Sequence, residues 1–227
     1  MAVEVSQLRR YYRLGCHPAP ARLRTWPVCE QNLTPEPFAD CLHAVLDQGR
    51  VRPGQRVLVV GGGQMGLQLV LAAALEGADV TLAEPIEERR ALGLELGANE
   101  VVAELADAAG DADAVLLSIG APALVAPAIA RAASGGRVVL FAGFGDSSQI
   151  DLDLNRLHYE EIALVGSEWI GTPPNQRRVR YAEARDLLAS GAAPLERLVT
   201  GHCGLAGLAQ AFADVRALRG LKTILVP

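Results

Sequence analysis

The sequence predicts an α/β fold, a doubly wound parallel sheet of six strands preceded by an irregular arm, and three observations carry the prediction. Short β-rich runs alternate with Ala/Leu-rich helical runs from Arg56 onward, the pattern of βαβ units on a parallel sheet. The first strand-to-helix junction reads Gly61-Gly62-Gly63-Gln64-Met65-Gly66, a G-x-G-x-x-G turn. Six β-rich runs separated by helices or turns follow one another up to Gly166, enough for a complete sheet of this kind.

The N-terminal part is the least regular. Pro18, Pro20, Pro27, Pro35 and Pro37 remove backbone donors and fix φ along the first stretch, so residues 1–35 read as an extended arm wrapping the domain formed by residues 36–227. A helix is expected over residues 37–48. Arg56-Val57-Leu58-Val59-Val60 is then a buried strand, residues 67–76 a helix closed by Gly77, and Asp79-Val80-Thr81-Leu82-Ala83 the second strand. Residues 86–96 form a helix with Gly97 as its C-terminal cap, and residues 100–102 a short third strand. The remaining strands are expected at 114–118, 137–141 and 162–166, with a helix at 123–133. Helices at 176–189 and 205–217 and a terminal strand at 222–226 complete the chain, leaving His202 and Cys203 in a loop.

Composition narrows the function. The 227 residues are 50% hydrophobic and carry a formal net charge of −5, with no long basic run, which argues against nucleic acid and for a small-molecule ligand. The first 13 residues lack the apolar core of a secretory signal, and the apolar stretch around Leu69 is interrupted by Gln68 and too short to span a bilayer. A cytoplasmic protein without a membrane partner is expected. Cys16, Cys29, Cys41 and Cys203 are scattered, so free thiols are expected rather than a disulfide framework.

The chemistry begins at the glycine turn. Gly61 permits the tight turn, Gly63 lets backbone approach a pyrophosphate, and Gly66 permits close helix–strand contact, while Gln64 and Met65 open a helix whose N-terminal amides favour an anion. Glu84 follows at the end of the second strand, where a carboxylate can accept both adenosine ribose hydroxyls and repels a 2′-phosphate. A Rossmann dinucleotide site that takes NAD over NADP is the reading, with Arg89 flanking the adenosine or simply solvated.

The chain resembles the coenzyme domain of the medium-chain, zinc-type alcohol and polyol dehydrogenases, in particular their sorbitol and threonine dehydrogenase branch. The matching stretches are Glu36-Pro37-Phe38-Ala39 with Leu42-His43-Ala44-Val45, the run from Gly54 to Gly61, and Leu96-Gly97-Ala98. They continue through Gly135-Gly136-Arg137-Val138-Val139, Asn155-Arg156-Leu157-His158-Tyr159-Glu160-Glu161, Gly166-Ser167 and the closing Lys222-Thr223-Ile224-Leu225-Val226-Pro227. The resemblance implies that Met65 backs the nicotinamide, that Ser118 and Gly143 line its edge, and that Lys222 reaches the pyrophosphate. It implies that the helix holding His158 and Tyr159 braces the sixth strand, and that strand 162–166 pairs with a two-fold mate in a homodimer.

Most of the family's N-terminal catalytic domain has no counterpart here. The donors left near the start, Cys16, His17, Cys29, Glu36, Cys41 and His43, fit no zinc template, so no metal is expected. Glu36 matches the family's carboxylate beside the metal or serves as a helix N-terminal charge. Asp40 stands where the family commonly has a small neutral residue close to the nicotinamide, and with His43 three residues on it forms either a proton-moving carboxylate–imidazole pair or a surface aspartate beside a packed histidine. Three functions follow: an NAD(H)-dependent oxidoreductase acting on an alcohol, polyol or cyclitol without catalytic zinc, a non-catalytic NAD(H)-binding module or partner subunit, and an epimerase or lyase that uses NAD transiently.

Overall fold

The computed structural model describes residues 35–145 and 148–226. The expected arm, with Cys16, His17 and Cys29, lies outside the described residues apart from Pro35. That proline opens helix α1 (Pro35–Leu42), whose Phe38, Ala39, Cys41 and Leu42 are buried, and the helix widens into a π-helical turn over His43–Gln48. Arg137 Nε donates to the Gln48 carbonyl at 2.6 Å, satisfying an acceptor at the end of that turn.

Strands β1 (Arg56–Val60), β2 (Asp79–Ala83), β3 (Glu100–Val102), β4 (Ala112–Leu117), β5 (Ala132–Leu140) and β6 (Ala163–Gly166) form one sheet in the order β3-β2-β1-β4-β5-β6, parallel throughout. The central strands β1 and β4 are almost wholly buried because helices cover both faces, which is why they read as continuous apolar runs. Helix α2 (Gln64–Leu75) lies between β1 and β2 in the chain and buries eight residues, being apolar nearly all round. Helix α3 (Glu87–Glu95) precedes β3, α4 (Val125–Arg131) precedes β5, and α5 (Leu154–Tyr159) precedes β6. Two apolar clusters result, one on the side of α1 and α2 and one on the side of α4.

The expected helix at 123–133 ends at Arg131, and the strand begins five residues earlier than expected. The reason is a bulge: the β4–β5 register shifts between Ala112 and Ala114, with Gly135 at φ +76° accommodating the extra residues. Beyond β6, helix α6 (Pro174–Ala189) buries Ala184 and Leu188, and a small second sheet forms from β7 (Val199–Cys203) and β8 (Lys222–Leu225), linked by α7 (Leu208–Arg216). His202 and Cys203 therefore belong to a strand and not to a loop.

Candidate active site

The strand order reverses between β1 and β4, and in open α/β sheets the crevice outside the carboxyl ends of the strands at such a point is where ligands bind. Three turns build it here. Gly61, at φ +96°, makes the turn after β1, and a Cβ there would lie 2.5 Å from the Ile119 side chain. A Cβ on Gly66 would lie 1.8 Å from the Gly61 carbonyl oxygen, so only glycine lets α2 start this close to the strand. Gly63 is different: a Cβ on it would meet nothing within 4 Å, and among the described residues no side chain caps the first turn of α2. Its amides are left for a ligand.

Ser118, the first residue after β4, braces this turn from below, its Oγ 2.8 Å from the Val60 carbonyl and 2.9 Å from that of Gly61. The third turn follows β5, where the Gly143 carbonyl presses against Gly120 so closely that a Cβ on Gly120 would sit 1.9 Å from it, while Gly143 itself faces open space. Gln64 and Met65 are half-buried at the start of α2, and Cys41 Sγ donates to the Met65 carbonyl at 3.6 Å, bringing α1 against the turn.

Glu84 is 3% exposed, and its carboxylate is already engaged by backbone: the amide of Gly62 donates to Oε2 at 2.5 Å and that of Ile86 to Oε1 at 2.9 Å. It thus ties the end of β2 to the glycine turn, a fastening role the sequence reading did not give it. Arg89 Nη2 donates to the carbonyls of Leu218 and Gly220 in the turn that leads into β8, which ties it to the C-terminal part of the chain. Lys222 opens β8, and burial lowers its ammonium pKa below the usual lysine value.

On the α1 side the expected Asp40–His43 pair does not form. The π-helical turn carries His43 toward the residues four and five ahead of it: Nδ1 lies 2.9 Å from Asp47 Oδ2, and Nε2 lies 3.2 Å from Gln48 Nε2 and 3.2 Å from Thr172 Oγ1. Asp47 in turn takes a two-pronged grip from Arg180 at 2.7 and 3.0 Å, which holds its carboxyl below the usual aspartate range, and His43 packs at a tilt on Trp169. His43 is therefore a buried brace between α1, α6 and the segment after β6. Asp40 is left to itself. Its Oδ1 is buried with no hydrogen-bond partner among the described residues, and burial together with the charges of Glu36 and Glu168 pushes its pKa up to about 7. Glu36 is exposed. Ser167 Oγ, next to Glu168 at the end of β6, is likewise buried and unpartnered among the described residues. No sequence pattern marked Ser167 or Glu168 as site residues, because only the fold brings the end of β6 to α1.

Residues 63–190, more than half of the chain, match the zinc-binding dehydrogenase family. The chain belongs to that family. Among its similar relatives is the 2-dehydro-3-deoxy-L-galactonate 5-dehydrogenase of Pseudoalteromonas atlantica, 28% identical over 82% of this chain and 54% of that protein. The solved structure of a zinc-binding dehydrogenase from Sinorhizobium meliloti 1021 bound to NADP superposes with a TM-score of 0.77 at 26% identity, covering 87% of this chain and 59% of the other. Acetophenone reductase from Geotrichum candidum in complex with NAD gives 0.72 at 25% identity, over 85% and 54%. The chain spans little more than half the length of these proteins.

Two groups are implied by the family, and the residues fit only one. A dinucleotide fits: the uncapped start of α2 and the open faces of Gly63 and Gly143 form a cradle that side chains would fill. Zinc does not fit the described residues. No group of three or more His, Cys, Asp or Glu among them is placed to hold a metal ion. Cys41 is fully buried with its thiol pKa pushed up by burial, the opposite of the thiolate a zinc ligand requires, and both ring nitrogens of His43 already have partners.

Proposed function

We propose that this zinc-binding dehydrogenase family member is an NAD(H)-dependent oxidoreductase for alcohols or polyols whose proton chemistry runs through Asp40. The observation that carries the reading is the three-turn crevice, with Gly63 open above the uncapped start of α2 and Glu84 closing the adenosine end. Gly61, Gly63, Gln64, Met65 and Gly66 hold the pyrophosphate and back the nicotinamide, and Ser118 and Gly143 line the ring's edge. Lys222 is assigned to the pyrophosphate, and Arg89 steadies the C-terminal sheet beside it. The remaining lone pairs of Glu84 meet the ribose hydroxyls and its charge repels a 2′-phosphate, so NAD is favoured over NADP.

NAD, when bound, supplies the hydride acceptor. The chain's own part is to place the substrate hydroxyl and take its proton. Asp40, with a pKa of about 7, an unpartnered Oδ1 and no competing partner in His43, is matched to a general base near neutral pH. Glu36 tunes that carboxyl by its charge. Cys41 and Cys203 are free thiols, in keeping with a cytoplasmic setting. Among the described residues strand β6 pairs only with β5, and it is apolar and free of proline, so the reading includes a homodimer through the 162–166 edge. A Val165→Lys change should convert a dimer to monomers in light scattering, and a monomeric wild type would remove this part.

The reading as a whole is tested by titrating NAD and NADP calorimetrically and following nicotinamide absorbance with a panel of polyols. Tight NAD binding with turnover supports it, and preference for NADP overturns the Glu84 assignment. NAD binding without turnover favours the second reading, a coenzyme-holding subunit.

A further inference from the structure

We propose that the groove between the segment after β6 and helix α6 receives the carboxylate or phosphate of the substrate, so that the polyol oxidised here is anionic, a sugar acid or a sugar phosphate. The proposal rests on the oxidoreductase reading and names its substrate class.

The groove has a volume of about 480 Å³ and is lined by Trp169, Pro174, Arg177, Arg178, Tyr181 and Arg185, with no acidic residue in its wall. Positions 174, 178, 181 and 185 are spaced by four, three and four residues, with Arg177 adjoining Arg178, so one face of α6 presents three guanidinium groups and a phenol. The pairing of these arginines is uneven. Arg180, on the other face, is held by Asp47 and Glu183, and Arg185 by Asp186, whereas Arg177 and Arg178 form no ion pair or side-chain hydrogen bond among the described residues. Two unneutralised guanidinium groups over aromatic and proline walls concentrate anions, and each fork matches a carboxylate or phosphate edge with two parallel hydrogen bonds.

The position of the groove ties it to Asp40. Trp169 forms one wall of the groove and packs on His43, three residues from Asp40, and its chain neighbour Glu168 is close enough to Asp40 to raise its pKa. The chain segment from Ser167 to Arg178 therefore changes character along its length. The Asp40 side carries carboxylates and the buried, unpartnered Ser167 Oγ, and the groove side carries guanidinium groups suited to an anion. A hydroxy acid or a polyol phosphate satisfies both ends in one orientation only, since its charged end is repelled by Glu36, Asp40 and Glu168 and attracted by Arg177 and Arg178. A neutral polyol leaves the basic end unused.

The test uses the full chain saturated with NAD and three ligands of one carbon skeleton: D-gluconate, sorbitol phosphate and sorbitol. Intrinsic tryptophan fluorescence reports binding, and the double variant Arg177→Gln/Arg178→Gln is compared with wild type. The proposal expects at least one anionic ligand to bind more tightly than sorbitol and to lose about tenfold in affinity in the variant, the loss expected for one or two charge-assisted hydrogen bonds, with sorbitol unaffected. Saturation by gluconate or by the phosphate identifies which anion the groove takes. Arg178 is exposed and Arg177 half-buried, and neither has an ion pair or side-chain hydrogen bond to lose among the described residues, so melting temperature and NAD affinity should be unchanged, and the single variant Arg178→Glu should repel the same anion. Equal binding of all three ligands, or an anion affinity indifferent to these changes, overturns the proposal. Failure of NAD to bind while the anion still does would instead count against the oxidoreductase reading and leave the groove assignment standing.

Discussion

The six-stranded sheet and the small C-terminal sheet are built from the same kinds of element, yet they are held in opposite ways. In the large sheet β1 and β4 are buried nearly end to end, with Val59, Leu116 and Leu117 fully enclosed. From Val199 to Val226 only Ile224 is buried, α7 buries nothing, and Leu208, Phe212, Val215 and Leu225 lie exposed along one face. That small sheet is held chiefly by polar contacts: Thr200 Oγ1 accepts the amides of Leu221 and Lys222, Arg219 pairs with Asp214, and Arg89 and Arg197 reach across from and to α3. Apolar burial supplies most of the stability of a domain, and exposed ion pairs supply little. The crevice therefore sits on the rigid unit, and the C-terminal sheet is the part that opens first.

The largest effect that could break this comparison is at Gly66. A Gly66→Ala change puts a methyl against the Gly61 carbonyl and should cost about 3 kcal/mol or more, seen as a large drop in melting temperature. A variant as stable as wild type would mean that α2 is not packed as described. Next, Leu116→Ala should cost about 3 kcal/mol through the cavity it leaves, whereas Phe212→Ala, at a residue 60% exposed, should stay within about 0.5 kcal/mol. Urea melts of the two variants compare the two sheets directly, and a large loss from Phe212 would show that its face is covered in solution.

The sheet was legible because parallel strands covered on both faces must be apolar without interruption, and the glycine turn because its spacing follows from the geometry of a strand meeting a helix. The small sheet was half legible. Lys222-Thr223-Ile224-Leu225 reads as a strand, but its partner Val199-Thr200-Gly201-His202-Cys203 has a glycine at the centre of its half-buried face and only Val199 and Cys203 as apolar residues, so little in it signals pairing. The same holds within the site. Asp40 could be found as an unexpected charge on α1, but the partner of His43 could not, since an ordinary helical turn gives no reason to favour Asp47 over Asp40 and the π-helical turn that decides it has no sequence signature. The Arg177–Arg178 groove exists only where α6 meets Trp169.

A smaller effect sharpens the role of Asp40. Its folded pKa is raised from 3.8 to about 7, so the native state holds the proton more tightly than the unfolded chain does. The contribution to stability is fully present below pH 3.8 and is lost as pH rises toward 7. An Asp40→Asn variant should consequently melt slightly higher than wild type at pH 8 and show little difference at pH 4, while losing the limb of any pH–rate profile near neutrality. A variant less stable at pH 8 would mean that the ionised carboxylate has a favourable partner.

The central claim is that the open face of Gly63 receives a dinucleotide phosphate, and calorimetry of NAD with wild type and Gly63→Ala tests it most directly. A Cβ there meets nothing in the protein, so the variant should fold and melt like wild type while its NAD affinity falls by about tenfold or more, because the methyl occupies the space the phosphate needs. Undiminished NAD binding by a normally folded Gly63→Ala protein would contradict the account.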